Sequence, residues 1–495
     1  MYAGIDCGTQ STKVVVFDEH KGAVIARGQA EHKLDSREDG TREQDPNDWL
    51  EALKRAFAQA LSSDQVDPKS IEALGVSGQQ HGLVALDAAD QVIRPAKLWC
   101  DTSTWRENAQ LIDSLGGKQA CIDSIGLLIA TGFTASKVSW LKAHEPENFA
   151  RIRSLLLPHD YLNFWLTGDK TAEYGDASGT GYFDIRNRDW SSHVLSHISS
   201  DVDMRAALPR LIGSQDPAGR LRDSVARTLG LKPGVLVASG GGDNMMGAIG
   251  TGNVTQGRVT MSLGTSGTIY GYMNQPCVDQ DGQIAGFCSS SNGWLPLVCT
   301  MNVTNVTGNI QTLLGLDLDE FNTQLELAPV GSEGLLMLPF FNGERTPDLP
   351  AATGSLHGIN ASNLTIPNLC RAAVEGVSFG LRYGQDLFNN FGLSASEIRL
   401  AGGGAKSAIW RQLVADLTNT PVTVPAEAEA AALGAALQAQ WCHISEDSTN
   451  TSLDTICENG VKIDHDQSCE PGNDRVQQYE DAYRSYTQTK QRTFL

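Results

Sequence analysis

Short apolar runs divided by turns open the chain. Tyr2–Asp6, Lys13–Asp18 and Ala23–Ala30 predict three successive strands joined as a meander. The period then changes. Trp49, Leu50, Leu53, Ala56, Phe57 and Leu61 recur at helical spacing, so a helix is expected over Pro46–Ser62 with Asp45 as its N-cap. Ile71–Val76 reads as a buried strand that ends in Ser77-Gly78-Gln79-Gln80-His81-Gly82, a polar loop bounded by glycine. Residues 100–230 are mixed in pattern. They hold a helix start at Gly132–Leu141 and the polar segments Leu157–Tyr161 and Asp176–Thr180, an insertion suited to building a substrate pocket. Val235–Ser239 is a further apolar strand, and it runs into Gly240-Gly241-Gly242-Asp243-Asn244. The domain boundary is placed there, with an N-terminal domain over 1–240 and a C-terminal domain over 241–495.

The second half repeats the pattern. Strands are expected at 258–263, 267–273, 294–302 and 334–340, with a helix after Asn305 and a long helix over Ile366–Asn389. Ile398–Leu400 is a strand that ends in Gly402-Gly403-Gly404 and leads to a helix over Ser407–Thr418. Pro421–Val424 reads as a strand and Glu427–Gln440 as an Ala-rich helix. Residues 443–475 are polar and are expected to be loop. In the closing helix Tyr479, Tyr483 and Tyr486 form a stripe at i, i+4 and i+7, read as a face docked on the core. Strands alternating with helices make this an α/β protein.

Composition narrows the function. A chain of 495 residues, 41% hydrophobic, supports two or three domains. A net charge of −20 argues against a nucleic-acid or anionic-membrane surface. It leaves room for a phosphate ligand, because a local site can be neutral or positive. The ten cysteines include no Cys-x-x-Cys pair, so reduced thiols in a cytoplasmic protein are expected. No run reaches the ~20 apolar residues of a membrane span, and the first residues form no signal-peptide pattern.

Two small turns carry candidate chemistry. Asp6-Cys7-Gly8-Thr9 and Ser262-Leu263-Gly264-Thr265 each link two strands, half a chain apart. Glycine frees the backbone there, and the hydroxyls of Thr and Ser stand beside freed amides, so each turn can wrap a phosphate. Thr9, Ser11 and Thr12 in the first turn, with Lys13 for charge, and Gly264, Thr265 and Ser266 in the second are the candidate phosphate contacts. Asp6 closes its strand and suits Mg²⁺, which takes one or two carboxylates beside nucleotide phosphates. Asp243, after three glycines, can accept a proton from an alcohol, as one Asp does in phosphoryl transfer. Capping the following helix is the competing role. Gly403 and Gly404 open a helix where a ribose or base can lie against backbone. The hydroxyls of a polyol suit Gln80 and His81, while Trp99 and Asp101 offer a stacking face and an acceptor. Arg345 could reach phosphate or form a surface ion pair. Neither a Walker sequence nor a Gly-x-Gly-x-x-Gly after the first strand is present.

In this order the pieces resemble the FGGY carbohydrate kinases, within the actin/hexokinase/heat-shock ATPase superfamily. The resemblance rests on Gly4–Thr9, Gly132–Trp140, Gly240–Asn244, Leu263–Ser266, Gly343–Pro347 and Gly402–Ala405, and it covers essentially the whole chain. Ser77–Gly82 looks like the sugar loop of the family's xylulose-specific members, and Leu98-Trp99-Cys100-Asp101 is similar to their Leu-Trp-x-Asp. The resemblance implies two ribonuclease-H-like domains with a cleft between them, sugar held mainly by the first and ATP mainly by the second. It implies that Asp243 deprotonates the 5-hydroxyl of D-xylulose, with Asn244 beside it on the sugar, and that Asp6 lies near Mg²⁺ and the transferred phosphate. Gln80 and His81 would hold the ketose, Gly264–Ser266 the phosphates, and Gly403 and Gly404 the nucleoside. Gln80 stands where some relatives carry Met, and Cys7 where Leu is more usual, which leaves the sugar less fixed than its class. Another ketose or polyol (ribulose, glycerol, gluconate) or a non-catalytic ATP-binding sensor are the alternatives. The oligomeric state stays open, with a homodimer carried forward.

Overall fold

The computed structural model describes residues 1–200, 202–447 and 451–494. The chain forms two compact units. The first comprises Met1–Val254, Met273–Leu295 and Glu429–Lys462, and the second Thr255–Tyr272, Pro296–Ala428 and Ile463–Leu495. The division is thus interrupted, and Asp243 with its helix groups with the first unit rather than with the residues that follow.

In the first unit β1 (Tyr2–Cys7), β2 (Ser11–Asp18) and β3 (Ala23–Glu31) form the expected antiparallel meander. β4 (Ala73–Gly78) lies parallel to β1, β6 (Leu236–Ala238) parallel to β4, and β5 (Pro217–Arg220) antiparallel to β6. The sheet order is β5-β6-β4-β1-β2-β3. Side chains alternate across a strand. Ala3 and Ile5 therefore join Trp49, Leu53 and Phe57 of the Pro46–Leu61 helix in one core, whereas Gly4 faces the opposite side. There the Ala430–Asp447 helix lies directly on the sheet: a Cβ on Gly4 or Gly75 would overlap the carbonyls of Ala432 or Ala435. The same helix crosses Asp243–Gly250 at Gly434 and Gly250, where added methyls would strike the Met246 and Ala430 carbonyls. The small residues of this late helix thus fix the helix that begins with Asp243.

The second unit repeats the order with new strands. β7 (Arg258–Leu263), β8 (Gly267–Gly271) and β9 (Trp294–Thr300) form an antiparallel meander. β10 (Glu397–Ala401) is parallel to β7, β11 (Val422–Pro425) parallel to β10, and β12 (Ile463–Cys469) antiparallel to β11. The run β9-β8-β7-β10-β11-β12 matches six strands of the first sheet in position and direction, although β5 precedes β6 in the chain whereas β12 follows β11. This is the duplicated ribonuclease-H-like architecture that the resemblance implied. The Ile366–Asn390 helix packs in this unit, with Gly384 against Ile269 and Gly376 against the Met337 carbonyl. Tyr479 and Tyr486 are buried, and Tyr479 accepts a 2.7 Å hydrogen bond from Arg371, so the tyrosine stripe is a docking face.

Residues 443–475 depart from the loop expected of them. The Ala430 helix continues to Asp447, a helix spans Leu453–Gly460, and β12 closes the sheet; residues 448–450 lie outside the described residues. β12 is an edge strand with no fully buried position, so its polar sequence carries no alternation to read.

Candidate active site

The parallel pairing of β1 with β4 sets Asp6 beside Ser77, whose hydroxyl donates to Asp6 Oδ1 at 2.8 Å. On the other side Asp6 stands opposite Lys13 of β2, and Lys13 Nζ pairs with Glu429 at 2.5 Å. Burial pushes the Asp6 carboxyl up to about 6, against the opposing pull of Ser77 and Lys13. The first turn is held by a buried amide network. Trp99 Nε1 donates to Thr9 Oγ1 at 3.0 Å, and that hydroxyl donates to Gln79 Oε1 at 3.3 Å. Gln44 Oε1 accepts from Gln79 Nε2 and from Trp49 Nε1, both at 2.9 Å, while Gln44 Nε2 donates to the Thr9 carbonyl at 2.7 Å. Thr9 is thereby engaged at both its hydroxyl and its carbonyl. Ser11 is buried and accepts from Gln29 at 3.2 Å, and Thr12 is fully buried.

Asp243 opens its helix where Gly241–Gly242 pair with Ser77–Gly78 at the end of β4. Its Oδ1 accepts from the Asn244 backbone N–H at 2.8 Å and from Asn244 Nδ2 at 3.0 Å. The same Nδ2 donates to Gln80 Oε1 at 2.9 Å. Asp243, Asn244 and Gln80 therefore form one connected chain. Burial, then the negative charge of Asp6, pushes Asp243 up to about 7. His81 follows Gln80 in a left-handed conformation, φ 65°, with its ring 4.6 Å from that of Phe133. Gly179 gives the ring its space, since a Cβ there would overlap it. The His81 carbonyl accepts from Lys137 at 2.9 Å and from Thr134 at 3.1 Å. Lys137 is fully buried, also donates to the Gly132 carbonyl, and is pushed down to about 7 by burial.

Asp101 sits apart from these groups in its bonding. It is fully buried, and its carboxylate takes Lys97 at 3.1 Å, the Ser103 hydroxyl at 2.5 Å and the Arg42 and Ser103 backbone N–H groups. Lys97 also pairs with Glu43 at 3.1 Å and lies 4.0 Å from the Trp140 ring centroid. Of the Trp99/Asp101 pair, only Trp99 keeps partial exposure.

In the second unit Gly264–Ser266 link β7 to β8, and Thr265 is exposed. Gly402, at φ 88°, lies so close to the turn that a Cβ would come 2.7 Å from the Leu263 carbonyl. Gly404 packs on the Leu263 side chain, while Gly403 is exposed with open space about it. The two glycine turns of this half, distant in sequence, are thus one surface. In the Gly343–Pro347 segment, Glu344 accepts from Met301 N at 2.7 Å, Arg345 N at 2.8 Å and Asn302 Nδ2 at 3.0 Å.

The model for the N-terminal domain of the FGGY family of carbohydrate kinases matches residues 1–250, and the model for its C-terminal domain matches residues 259–442. The chain belongs to the FGGY family of carbohydrate kinases. Among its curated relatives, the xylulose kinase of Haemophilus influenzae is 47% identical over 490 residues, covering 98% of each chain. The xylulose kinase of Streptomyces rubiginosus is 40% identical over 90% of this chain and 89% of its own. Among solved structures, the xylulose kinase of Bifidobacterium adolescentis superposes with a TM-score of 0.83 at 32% identity, covering 97% of this chain and 99% of that one.

Several residues that organise the site of this FGGY kinase carry no local motif. Gln44 is one polar residue before a helix cap, yet it anchors the Asp6–Thr9 turn. Lys137 lies in the Gly132–Trp140 segment, where its type alone gave no sign that it would be buried. His159 and Asp176 lie in the two polar segments of the middle region, and His159 Nδ1 meets Asp176 Oδ2 at 2.6 Å, both fully buried. Nearby, burial pushes Asp160 and Glu173 up to about 7.

Proposed function

We propose that this FGGY kinase transfers the γ-phosphate of ATP to the 5-hydroxyl of D-xylulose, with Asp243 as the base that takes the hydroxyl proton. The connected chain Asp243–Asn244–Gln80 carries the reading. One amide, Asn244 Nδ2, bonds both the proton acceptor and the amide assigned to the sugar, so the spacing between base and bound ketose is set before substrate arrives. The choice of xylulose rests on the relatives named above.

In the step itself the proton of the hydroxyl passes to Asp243 as its oxygen bonds the γ-phosphorus. The bond to the β–γ bridging oxygen breaks, and ADP leaves. Asp243 lies near neutrality, poised to accept a proton and to release it. Gln80 and His81 hold the sugar, Trp99 flanks it, and Lys137 fixes the His81 carbonyl. Asp101 is assigned to holding Lys97 instead of sugar, because protein donors already occupy its carboxylate.

Asp6 suits Mg²⁺. Its carboxylate is pushed up by burial, and the neighbouring cation, Lys13, is bound to Glu429. Mg²⁺ takes one or two carboxylates beside nucleotide phosphates, and Asp6 would be the carboxylate here. Mg²⁺ bound there would neutralise charge on the phosphates. Gly264–Ser266, Gly403 and Gly404 are assigned to the nucleotide, and Lys13 with the Thr9 backbone N–H to the transferred phosphate, since the Gly8 N–H is taken by the Ser11 carbonyl at 3.1 Å. Ser11 supports the strand through its buried hydroxyl, which accepts from Gln29, whereas the buried Thr12 hydroxyl has no partner among the described residues. No helix among the described residues is long and apolar enough to cross a membrane, and ten free cysteines fit a reducing compartment, which we take to be the cytoplasm.

The test is a panel of pentuloses, hexuloses, glycerol and gluconate at fixed ATP and Mg²⁺, read by ADP release. D-Xylulose is expected to give the highest kcat/KM, and Asp243→Ala to lower kcat by ~10²–10⁴-fold. Absence of ADP release with every acceptor, or full activity in Asp243→Ala, would sink the reading.

A further inference from the structure

Two buried polar atoms beside Gly242 lack partners, and they are complementary. Gln80 is buried, and its Oε1 is taken by Asn244 Nδ2, so the orientation of its amide is fixed. The other end, Nε2, is a buried donor with no acceptor. Asp176 is fully buried, and its Oδ2 is taken by His159 Nδ1 at 2.6 Å. Its Oδ1 is a buried acceptor with no donor. Both side chains press on Gly242, the residue before Asp243. A Cβ built there would come 2.6 Å from Gln80 Cγ, 2.9 Å from Gln80 Cδ and 3.0 Å from Asp176 Oδ1.

Buried polar groups are normally paired, and an orphan at a site calls for a partner. Gln80 Nε2 and Asp176 Oδ1 do not bond each other. A group that satisfies both must accept from an amide and donate to a carboxylate at once, which a hydroxyl does and a methyl or carbonyl cannot. We infer that Asp176 is a sugar-binding residue: together with Gln80 Nε2 its Oδ1 receives one hydroxyl of the acceptor sugar, other than the one phosphorylated. His159 is its positioning residue, holding the far carboxylate oxygen so that Oδ1 keeps its direction. The inference rests on the proposed ketose kinase activity and adds to it a determinant of which hydroxyls the sugar must carry.

Asp176 and His159 lie outside the hydrogen-bonded chain that links Asp243 to Gln80, so the readout that isolates their role is discrimination between sugars. A site built to bond a hydroxyl rejects an analogue that lacks it. The experiment compares kcat/KM for D-xylulose with that for its 1-deoxy, 3-deoxy and 4-deoxy analogues, in the wild type, Asp176→Ala and Gln80→Leu. In the wild type one analogue should be disfavoured by roughly 5- to 100-fold, the range for a buried polar group left without its partner. That same analogue should be discriminated less than about threefold in Asp176→Ala, because the hydroxyl it lacks no longer has its acceptor. Gln80→Leu should narrow the same ratio, and it carries the test if Asp176→Ala does not fold. A purely structural role for Asp176 would lower activity with all four sugars alike and leave their ratios unchanged, which overturns the inference. If the wild type phosphorylates none of the four, the ketose reading itself fails, and this result is distinct from unchanged ratios in an active enzyme.

Discussion

The two glycine turns occupy the same place in two sheets of the same order, yet they are chemically unlike. In the first unit the strand before the turn ends in Asp6-Cys7, and Asp6 faces Lys13 across the hairpin. In the second the matching residues are Ser262-Leu263, and Ser262 faces Thr268. The pairing closes differently as well, since Cys7 pairs with Thr12 while Leu263 pairs with Gly267. Thr9 is tied into the Gln44–Gln79–Trp99 network, whereas Thr265 is exposed. One hairpin has been charged and locked, and the other left neutral and open. Each turn follows a strand of the same place in its sheet, and the side chains added to it differ: under the proposed function, metal and proton chemistry are assigned to the first unit. Burial raises Asp6, Asp160, Glu173 and Asp243 to about 6 or 7 in that unit, and it also raises Glu344 and Glu375 in the second.

The contrast breaks hardest at Asp6→Ser, which gives the first turn the residue of the second. The fold tolerates Ser there in β7, so a stable protein is expected. Loss of the carboxylate should lower kcat on the order of 100-fold and blunt the response to added Mg²⁺. Steady-state rates across a Mg²⁺ titration measure both, and near-wild-type kcat would show that the charge on the first turn is incidental.

A smaller effect follows from pH. Asp243 must be ionised to take a proton, so kcat/KM should fall about tenfold per unit below about pH 7, where its carboxyl lies in the folded protein. Stability runs the other way. A carboxyl raised from its ordinary value near 4 to about 7 holds a proton in the folded chain that the unfolded chain has released. Its contribution is therefore full below the unfolded value and is lost as pH rises through that window. Asp243→Asn removes one such group, so the drop in Tm between pH 5 and pH 8 should be smaller in the ligand-free variant than in the wild type. An equal or larger drop contradicts the assignment.

What the chain disclosed of all this was its local part. The meander, the Pro46–Leu61 helix with its Asp45 cap and the glycine corners are written in neighbouring residues, and they stand where the pattern placed them. Asp243 and Gln80 were legible as polar residues beside glycine, but their connection through Asn244 spans a separation of 164 residues and has no local signature. The same holds for Gln44, whose amide reaches Gln79 35 residues away, and for the His159–Asp176 pair. The Ala430–Asp447 helix was visible as a helix, while its place was not. Its small residues gain meaning only beside Gly4 and Gly75, near the start of the chain, and Gly250, at its middle. Asp101 shows the opposite case, a residue whose motif suggested a ligand and whose burial commits it to Lys97.

The finest test of the contrast uses the two threonines, which hold equivalent places after Gly8 and Gly264. Thr9→Ala removes a hydroxyl that accepts from Trp99 Nε1 and donates to Gln79 Oε1, leaving two groups without that partner. Such a loss costs about 1–3 kcal/mol, so Tm should fall. The KM for sugar should rise with it, because Trp99 and Gln79, the residue before Gln80, lose the hydroxyl that ties them together. Thr265→Ala removes a hydroxyl on an exposed turn. Surface substitutions of this kind stay within about ±0.5 kcal/mol, so Tm should not move. One neutral hydrogen bond to phosphate is worth ~0.5–1.5 kcal/mol, which raises the KM for ATP roughly two- to tenfold and leaves the KM for sugar unchanged. The pair is decisive because the substitution is identical and each threonine directly follows the glycine of its turn. If Thr265→Ala lowered Tm and raised the KM for sugar while Thr9→Ala affected ATP alone, the locked and open hairpins would have to exchange roles.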